Sequence, residues 1–183
     1  MQLLQQPFIS TEKIKEKIRD LGKQISKDYE GKSIVVISVL KGAFVFTADL
    51  IRHLDIPLDV EFIGISSYQG TSSTGQVRIT CDLTCEVENR HVLLLEDIID
   101  TGKTIDYLMD VINVRKPASL KIGAFLSKPE CHLMKHHIDY VGFEIENQFV
   151  VGYGLDLDGK YRELRSEEHM SELQSPCNLV CRL

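Results

Sequence analysis

The run Ile34-Val35-Val36-Ile37-Ser38-Val39 constrains this chain more than any other stretch. Five of its six residues are β-branched, a shape that is crowded in a helix and packs well on a pleated surface. It has no polar alternation and is far shorter than the about 20 residues needed to span a bilayer. That combination predicts a strand buried on both faces, which needs a packed layer on each side. Leu40-Lys41-Gly42 then turns the chain, and Ala43 to His53 reads as a helix. Further strands are expected at Leu58–Ile65, Val92–Leu95, Leu120–Leu126 and Tyr140–Ile145. A helix capped by Ser10 precedes them, with Ile14, Ile18, Leu21 and Ile25 on one stripe and an end near Gly31. Another is expected from Thr104 to about Val114. Strands alternating with helices imply an α/β fold with a parallel sheet between two helical layers.

A chain of 183 residues with 43% apolar content can build one such core, with room for a small appendage. The net charge of −6 supplies no general attraction to nucleic acid or to an anionic membrane. No apolar run is long enough for a membrane span, and Met1 to Ser10 lacks the pattern of a secretory signal. The five cysteines are odd in number and scattered, so reduced thiols and a cytoplasmic location are expected. Cys81 with Cys85, and Cys131-His132 with His136-His137, lack the matched spacing of a zinc site.

Ser66 to Gln76 (SSYQGTSSTGQ) breaks the strand–helix rhythm, with Tyr68 its one core-forming side chain. It reads as a surface loop or as a lid over a site.

The chemistry is concentrated in Glu96-Asp97-Ile98-Ile99-Asp100-Thr101-Gly102-Lys103-Thr104, between the strand at Val92–Leu95 and the following helix. Ligands in open α/β sheets bind beyond the carboxyl ends of strands. Backbone N–H groups and the Thr101 and Thr104 hydroxyls can surround a phosphate at the helix start, and Gly102 permits close approach. Glu96 and Asp97 are out of place against a phosphate but suit the two hydroxyls of a ribose. A sugar phosphate needs both halves. A Walker A loop would need glycine where Asp97 stands. Asp100-Thr101-Gly102 matches an aspartic protease triplet, but those enzymes pair two carboxylates and this chain has one triplet. A capped helix with acids near its start would explain Asp97 or Asp100 alone, not the whole string.

This segment resembles the phosphoribosyl pyrophosphate motif of type I phosphoribosyltransferases, in particular their hypoxanthine-guanine branch. The resemblance runs from about Thr11 to Leu164. It includes Val39-Leu40-Lys41-Gly42, Ser66-Ser67-Tyr68, the acidic loop, Leu126-Ser127-Lys128-Pro129 and Phe149-Val150-Val151-Gly152-Tyr153-Gly154-Leu155-Asp156, in that order. It implies a central, mainly parallel sheet flanked by helices, with a small hood and a flexible lid loop. It also implies a purine salvage enzyme that joins hypoxanthine or guanine to phosphoribosyl pyrophosphate with Mg²⁺.

The resemblance assigns Glu96 and Asp97 to the ribose hydroxyls and, with Asp156, to the surroundings of the metal. Asp100, Thr101, Gly102, Lys103 and Thr104 become the 5′-phosphate loop, with Ile99 before it also counted among the substrate-binding residues, and Asp100 is the candidate general base near purine N7. Lys128 would donate to the exocyclic O6; having donors and no acceptor, it favours a carbonyl over an amino group. Phe149 would stack on the base while the Val150 backbone reads its edge. Leu40, Lys41, Gly42 and Arg162 would contact the pyrophosphate, with a Leu40–Lys41 peptide that can be cis. Ser67 and Tyr68 would close over the site and exclude water. Leu157-Asp158-Gly159 departs from relatives that carry an aromatic after the aspartate.

Members of the family commonly form dimers or tetramers, so a homodimer or homotetramer is implied, with neither nucleic acid nor membrane as partner. A phosphoribosyl-pyrophosphate-responsive regulator of the same fold would need a basic face, against the net charge of −6. A transferase for a pyrimidine or for adenine would keep the acidic loop but lose the 6-oxopurine matches. Residues 1–164 form the expected domain. Residues 165–183 (RSEEHMSELQSPCNLVCRL) show no clear apolar period and resemble the conceptual translation of a sequencing adapter, departing from it at Met170. This tail is expected to be foreign to the enzyme.

Overall fold

The computed structural model describes residues 8–67 and 77–169. Ser10 Oγ accepts from the Lys13 N–H at the start of α1 (Thr11–Asp28), whose Ile14, Ile18, Leu21 and Ile25 are buried. The β-branched run becomes β1 (Ile34–Leu40), followed by α2 (Phe44–Leu50) and a 3₁₀ turn at Ile51–His53. Then come β2 (Leu58–Ser67), β3 (Val77–Cys81), β4 (His91–Ile99) and α3 (Lys103–Asn113). The chain continues through β5 (Ser119–Ser127), a 3₁₀ turn at Pro129–Cys131, β6 (Tyr140–Glu144), β7 (Val150–Val151) and β8 (Glu168–His169).

Six strands form one sheet in the order β3-β2-β1-β4-β5-β6. The pairs β2–β1, β1–β4, β4–β5 and β5–β6 are parallel, and β3 runs antiparallel to β2 at the edge. Alternate residues of β1 enter different cores, as the period of a strand requires. Ile34 and Val36 pack with α1, Phe46 and Leu50 of α2, and Phe125. Val35, Ile37 and Val39 pack with Ile105, Leu108 and Ile112 of α3 on the opposite face. The sheet is thus covered on both sides, which explains why β1 carries no polar alternation.

Two expectations need correction. No strand was expected at residues 77–81, although Val77-Arg78-Ile79-Thr80-Cys81 has the apolar–polar alternation of a half-exposed edge strand. The third expected strand, Val92–Leu95, continues to Ile99 because Glu96, Ile98 and Ile99 stay in register with Ala124, Leu126 and Ser127. Glu96 and Asp97 therefore belong to the strand and not to the turn after it.

Beyond β6 the chain forms a small hood. Its β7 pairs antiparallel with β8, through Val150 with His169 and Val151 with Glu168. Glu167 bridges to Ile9, tying the hood to the start of α1. No described helix is long and apolar enough to cross a membrane.

Candidate active site

The carboxyl ends of β1, β4 and β5 lie side by side, since these strands are parallel neighbours. That end of the sheet carries Leu40-Lys41-Gly42, the acidic string from Glu96 to Thr104, and Ser127-Lys128. The Leu40–Lys41 peptide is cis. Gly42 follows, and a Cβ there would fall on the Asp97 carboxylate. Only a residue without a side chain lets the β1–α2 turn come this close to β4.

Glu96 and Asp97 are 4% and 5% exposed. Asp97 Oδ1 accepts the Ile98 N–H at 2.9 Å, while Glu96 Oε2 has no hydrogen-bond partner among the described residues. Burial, and then the adjacent Asp97 charge, push the Glu96 carboxyl well above its ordinary range. Burial also raises Asp97, against the opposing bonds from Glu96 and Ile98 and the field of Arg162. Two neighbouring carboxyls, both held high, form a place where a diol donor or a cation is favoured.

Past Ile99 the chain turns at Gly102 (φ 78°), the cap of α3, and the Gly102 carbonyl accepts the Asp106 N–H. The two halves of the expected site meet here. The Lys128 N–H donates to the Ile99 carbonyl at 2.9 Å, and Lys128 Nζ lies 3.6 Å from Asp100 Oδ2. Both side chains are largely buried, at 8% and 16% exposure, and Asp100 Oδ1 has no partner among the described residues. A charge pair so placed is ready to be opened by a ligand carrying its own acceptor and donor.

The hood supplies Asp156 and Arg162, which the structure joins to each other. Arg162 donates to Asp156 Oδ1 at 2.5 Å and to the Gly154 carbonyl at 2.6 Å, and Asp156 Oδ2 accepts the Gly159 N–H at 2.7 Å. The departure at Leu157-Asp158-Gly159 is a tight hairpin. Leu157 and Lys160 bridge across Asp158 (φ 51°) and Gly159 (φ 80°), the positive pair that a two-residue hairpin turn needs.

Phe149 is half-buried beside the buried Val150, while Lys41 and Lys103 are exposed and Leu40, Thr101 and Thr104 half-buried. Ser67 ends β2, and Tyr68 lies outside the described residues. Sequence reasoning missed the segment after Lys128. There the Leu133 N–H donates to the Thr101 carbonyl, and Asp106 accepts from the Lys135 N–H and His136 Nδ1. The histidines are the visible signal, but nothing in their spacing points to Asp106.

The sequence signature described as the phosphoribosyl transferase domain matches residues 9–158. The chain belongs to this family. A hypoxanthine-guanine phosphoribosyltransferase of Streptococcus thermophilus is 45% identical over 158 residues, covering 86% of this chain and 88% of that one. The bifunctional protein TilS/HprT of Listeria monocytogenes is 46% identical over 162 residues. The match covers 88% of this chain, which spans 25% of that longer protein. A crystal structure of a Bacillus anthracis hypoxanthine-guanine phosphoribosyltransferase superposes with a TM-score of 0.87 at 42% identity, covering 92% of this chain and 99% of that one. The fold is thus the type I phosphoribosyltransferase fold expected from the sequence.

Proposed function

We propose that this chain transfers the 5-phosphoribosyl group from phosphoribosyl pyrophosphate to N9 of hypoxanthine or guanine, giving IMP or GMP and pyrophosphate. The observation that carries the reading is the buried Lys128–Asp100 pair at the edge of the phosphate loop. A 6-oxopurine presents a carbonyl at C6 and a protonated nitrogen in its imidazole ring. Lys128, a donor with no acceptor, would turn from Asp100 to the O6 atom. Asp100, released from the ammonium, would accept the N7 proton as the N9–C1′ bond forms. The exocyclic amino group of adenine would meet a second donor and be refused.

Ile99 through Thr104 would hold the 5′-phosphate at the start of α3, and Glu96 and Asp97 the ribose hydroxyls. Leu40, Lys41 and Gly42 would meet the pyrophosphate, with Arg162 joining once it leaves Asp156. Phe149 would stack on the base and the Val150 backbone would read its edge. Ser67 and Tyr68 would exclude water, the competing nucleophile at C1′.

The residues suit Mg²⁺. This ion keeps most of its waters and takes one or two carboxylates together with substrate oxygens, and Glu96 Oε2 has no competing bond among the described residues. Among those residues no group of three or more His, Cys, Asp or Glu forms a cage, so the substrate would have to supply the other oxygens. Asp156 would join by exchanging Arg162 for the ion. When bound, Mg²⁺ would offset charge on the departing pyrophosphate.

We place the enzyme in the cytoplasm, in keeping with the free thiols of Cys81, Cys85 and Cys131. We expect a homodimer or homotetramer, in which Phe44 and Phe62, 43% and 42% exposed, would find cover. Residues 165–183 we propose to be foreign to the enzyme. The support for this is the sequence RSEEHMSELQSPCNLVCRL, which shows no clear apolar period and resembles a translated sequencing adapter.

The deciding experiment is an assay of phosphoribosyl pyrophosphate with a panel of bases, following nucleotide and pyrophosphate together. Turnover of hypoxanthine and guanine, with adenine and pyrimidines inert, is the expected result. Turnover of adenine or a pyrimidine alone would reassign the base, and binding of the sugar phosphate without any turnover would point to a regulator.

A further inference from the structure

The segment from Lys128 to His136 is a strap fastened to the phosphate loop at successive points. At its near end the Lys128 N–H bonds the Ile99 carbonyl, and the 3₁₀ turn is closed by the Cys131 N–H on the Lys128 carbonyl. At its middle the Leu133 N–H bonds the Thr101 carbonyl at 2.9 Å. The Met134 side chain lies so close over Gly102 that a Cβ there would overlap it. At its far end the Asp106 carboxylate accepts the Lys135 N–H at 3.0 and 3.1 Å and His136 Nδ1 at 2.8 Å. Burial alone would raise the Asp106 carboxyl, yet the bonds from His136 and Lys135 outweigh it and hold the group below the usual carboxylate range.

The peptide plane makes this fastening matter for a ligand. The Thr101 carbonyl and the Gly102 N–H belong to one planar trans unit and point in opposite directions. Pinning the carbonyl toward Leu133 therefore aims the Gly102 N–H away from the strap, the side on which the proposed phosphate would sit. The Leu133 bond, however, hangs on a stretch without regular structure, and Leu133 is itself 70% exposed. What fixes it is the next anchor along the chain. Asp106 belongs to α3, whose first turn is the phosphate loop's own continuation.

We infer that Asp106 is a positioning residue that, through Lys135 and His136, holds Leu133 and Met134 against Thr101 and Gly102 and so sets affinity for the 5′-phosphate of the sugar substrate. Lys128 has its own anchor on Ile99, so the base pocket does not depend on this clasp. The inference rests on the proposed reaction and adds a residue outside the motifs that suggested it.

The test is steady-state kinetics of the full chain with each substrate varied in turn. Asp106→Ala is expected to raise KM for phosphoribosyl pyrophosphate about tenfold or more, the loss of a charge-assisted bond, with kcat and KM for hypoxanthine changed less than about twofold. Asp106→Asn keeps an acceptor for Lys135 and His136 and is expected to recover most of that loss. His136→Ala, which leaves the Lys135 bond, is expected to fall between wild type and Asp106→Ala. Equal rises in both KM values, or unchanged kinetics with only a lower Tm, would show a purely structural role and overturn the inference. If Asp106→Ala does not fold, the Asp106→Asn and His136→Ala pair decides, with KM for phosphoribosyl pyrophosphate at wild-type level in both as the overturning result. An inactive wild-type chain would count against the proposed reaction, whereas an active one with an indifferent Asp106 counts only against the clasp.

Discussion

Lys128 Nζ and Asp100 Oδ2 stand 3.6 Å apart at the ends of two neighbouring parallel strands, each side chain largely withdrawn from water. They come from positions 28 residues apart and meet because β4 and β5 are in register up to Ile99 and Ser127. Each neutralises the other here, so in the proposed reaction a base would separate them before either acts on it.

Asp100→Asn is therefore expected to reduce kcat by about 10²–10⁴-fold, the usual contribution of a general base. The Kd for phosphoribosyl pyrophosphate should change far less. Turnover and direct titration of the sugar phosphate, measured on the same preparation, separate the two effects. An Asn variant with near-normal turnover removes the base assignment.

Lys128→Ala should weaken hypoxanthine and guanine by about 1.5–3 kcal/mol, the range for a hydrogen bond to a charged group, and the sugar phosphate by much less. It also leaves Asp100 without its buried partner, so part of any loss of stability belongs to that stranded charge. Equilibrium binding of each substrate is the check, and equal losses for both would make Lys128 structural.

At Gly42 the expectation is steric. Gly42→Ala puts a methyl group onto the Asp97 carboxylate, and neither the backbone turn nor the strand end can yield without moving the Glu96–Asp97 pair. Activity should fall at least about 10²-fold, as when a small misplacement spoils an aligned site. A circular-dichroism melt should show a folded protein, and wild-type turnover would mean that the pair relocates freely.

How much of this was legible in the sequence follows from how local each signal is. The strand β1 was plain because a run of β-branched residues is a property of the run itself, and α1 was plain from its stripe and its Ser10 cap. The edge strand β3 is faint in sequence because its alternation covers only five residues next to a polar stretch. Glu96 and Asp97 stand out as site residues at the end of a strand that the apolar run alone stops at Leu95. Their strand character comes from β5, and charged side chains at a strand end have no local signature. The pairs Asp106–His136 and Asp156–Arg162 were invisible as pairs, because contacts across 30 residues, or across a hairpin, are made by the fold.

Glu167 ties the start of the tail to Ile9. Its backbone is well used: its carbonyl accepts from Phe8 and Ile9, and its N–H donates to the Ile9 carbonyl. Its side chain is fully buried. Burial first, then the bond to Asp49 and the charges of Asp49 and Glu167, raise the Tyr153 hydroxyl, which donates to Asp49 at 2.8 Å. Two carboxylates thus bear on one phenol at the rim of the core that holds Ile9, Val150, Tyr153 and Leu155. Exchanging residues 165–183 for the ending of a relative should keep or raise both Tm and activity. Sequencing the source gene through codon 164 provides the independent check. Finding the same codons for residues 165–183 in intact genomic DNA, together with a lower Tm after the exchange, would establish the tail as native.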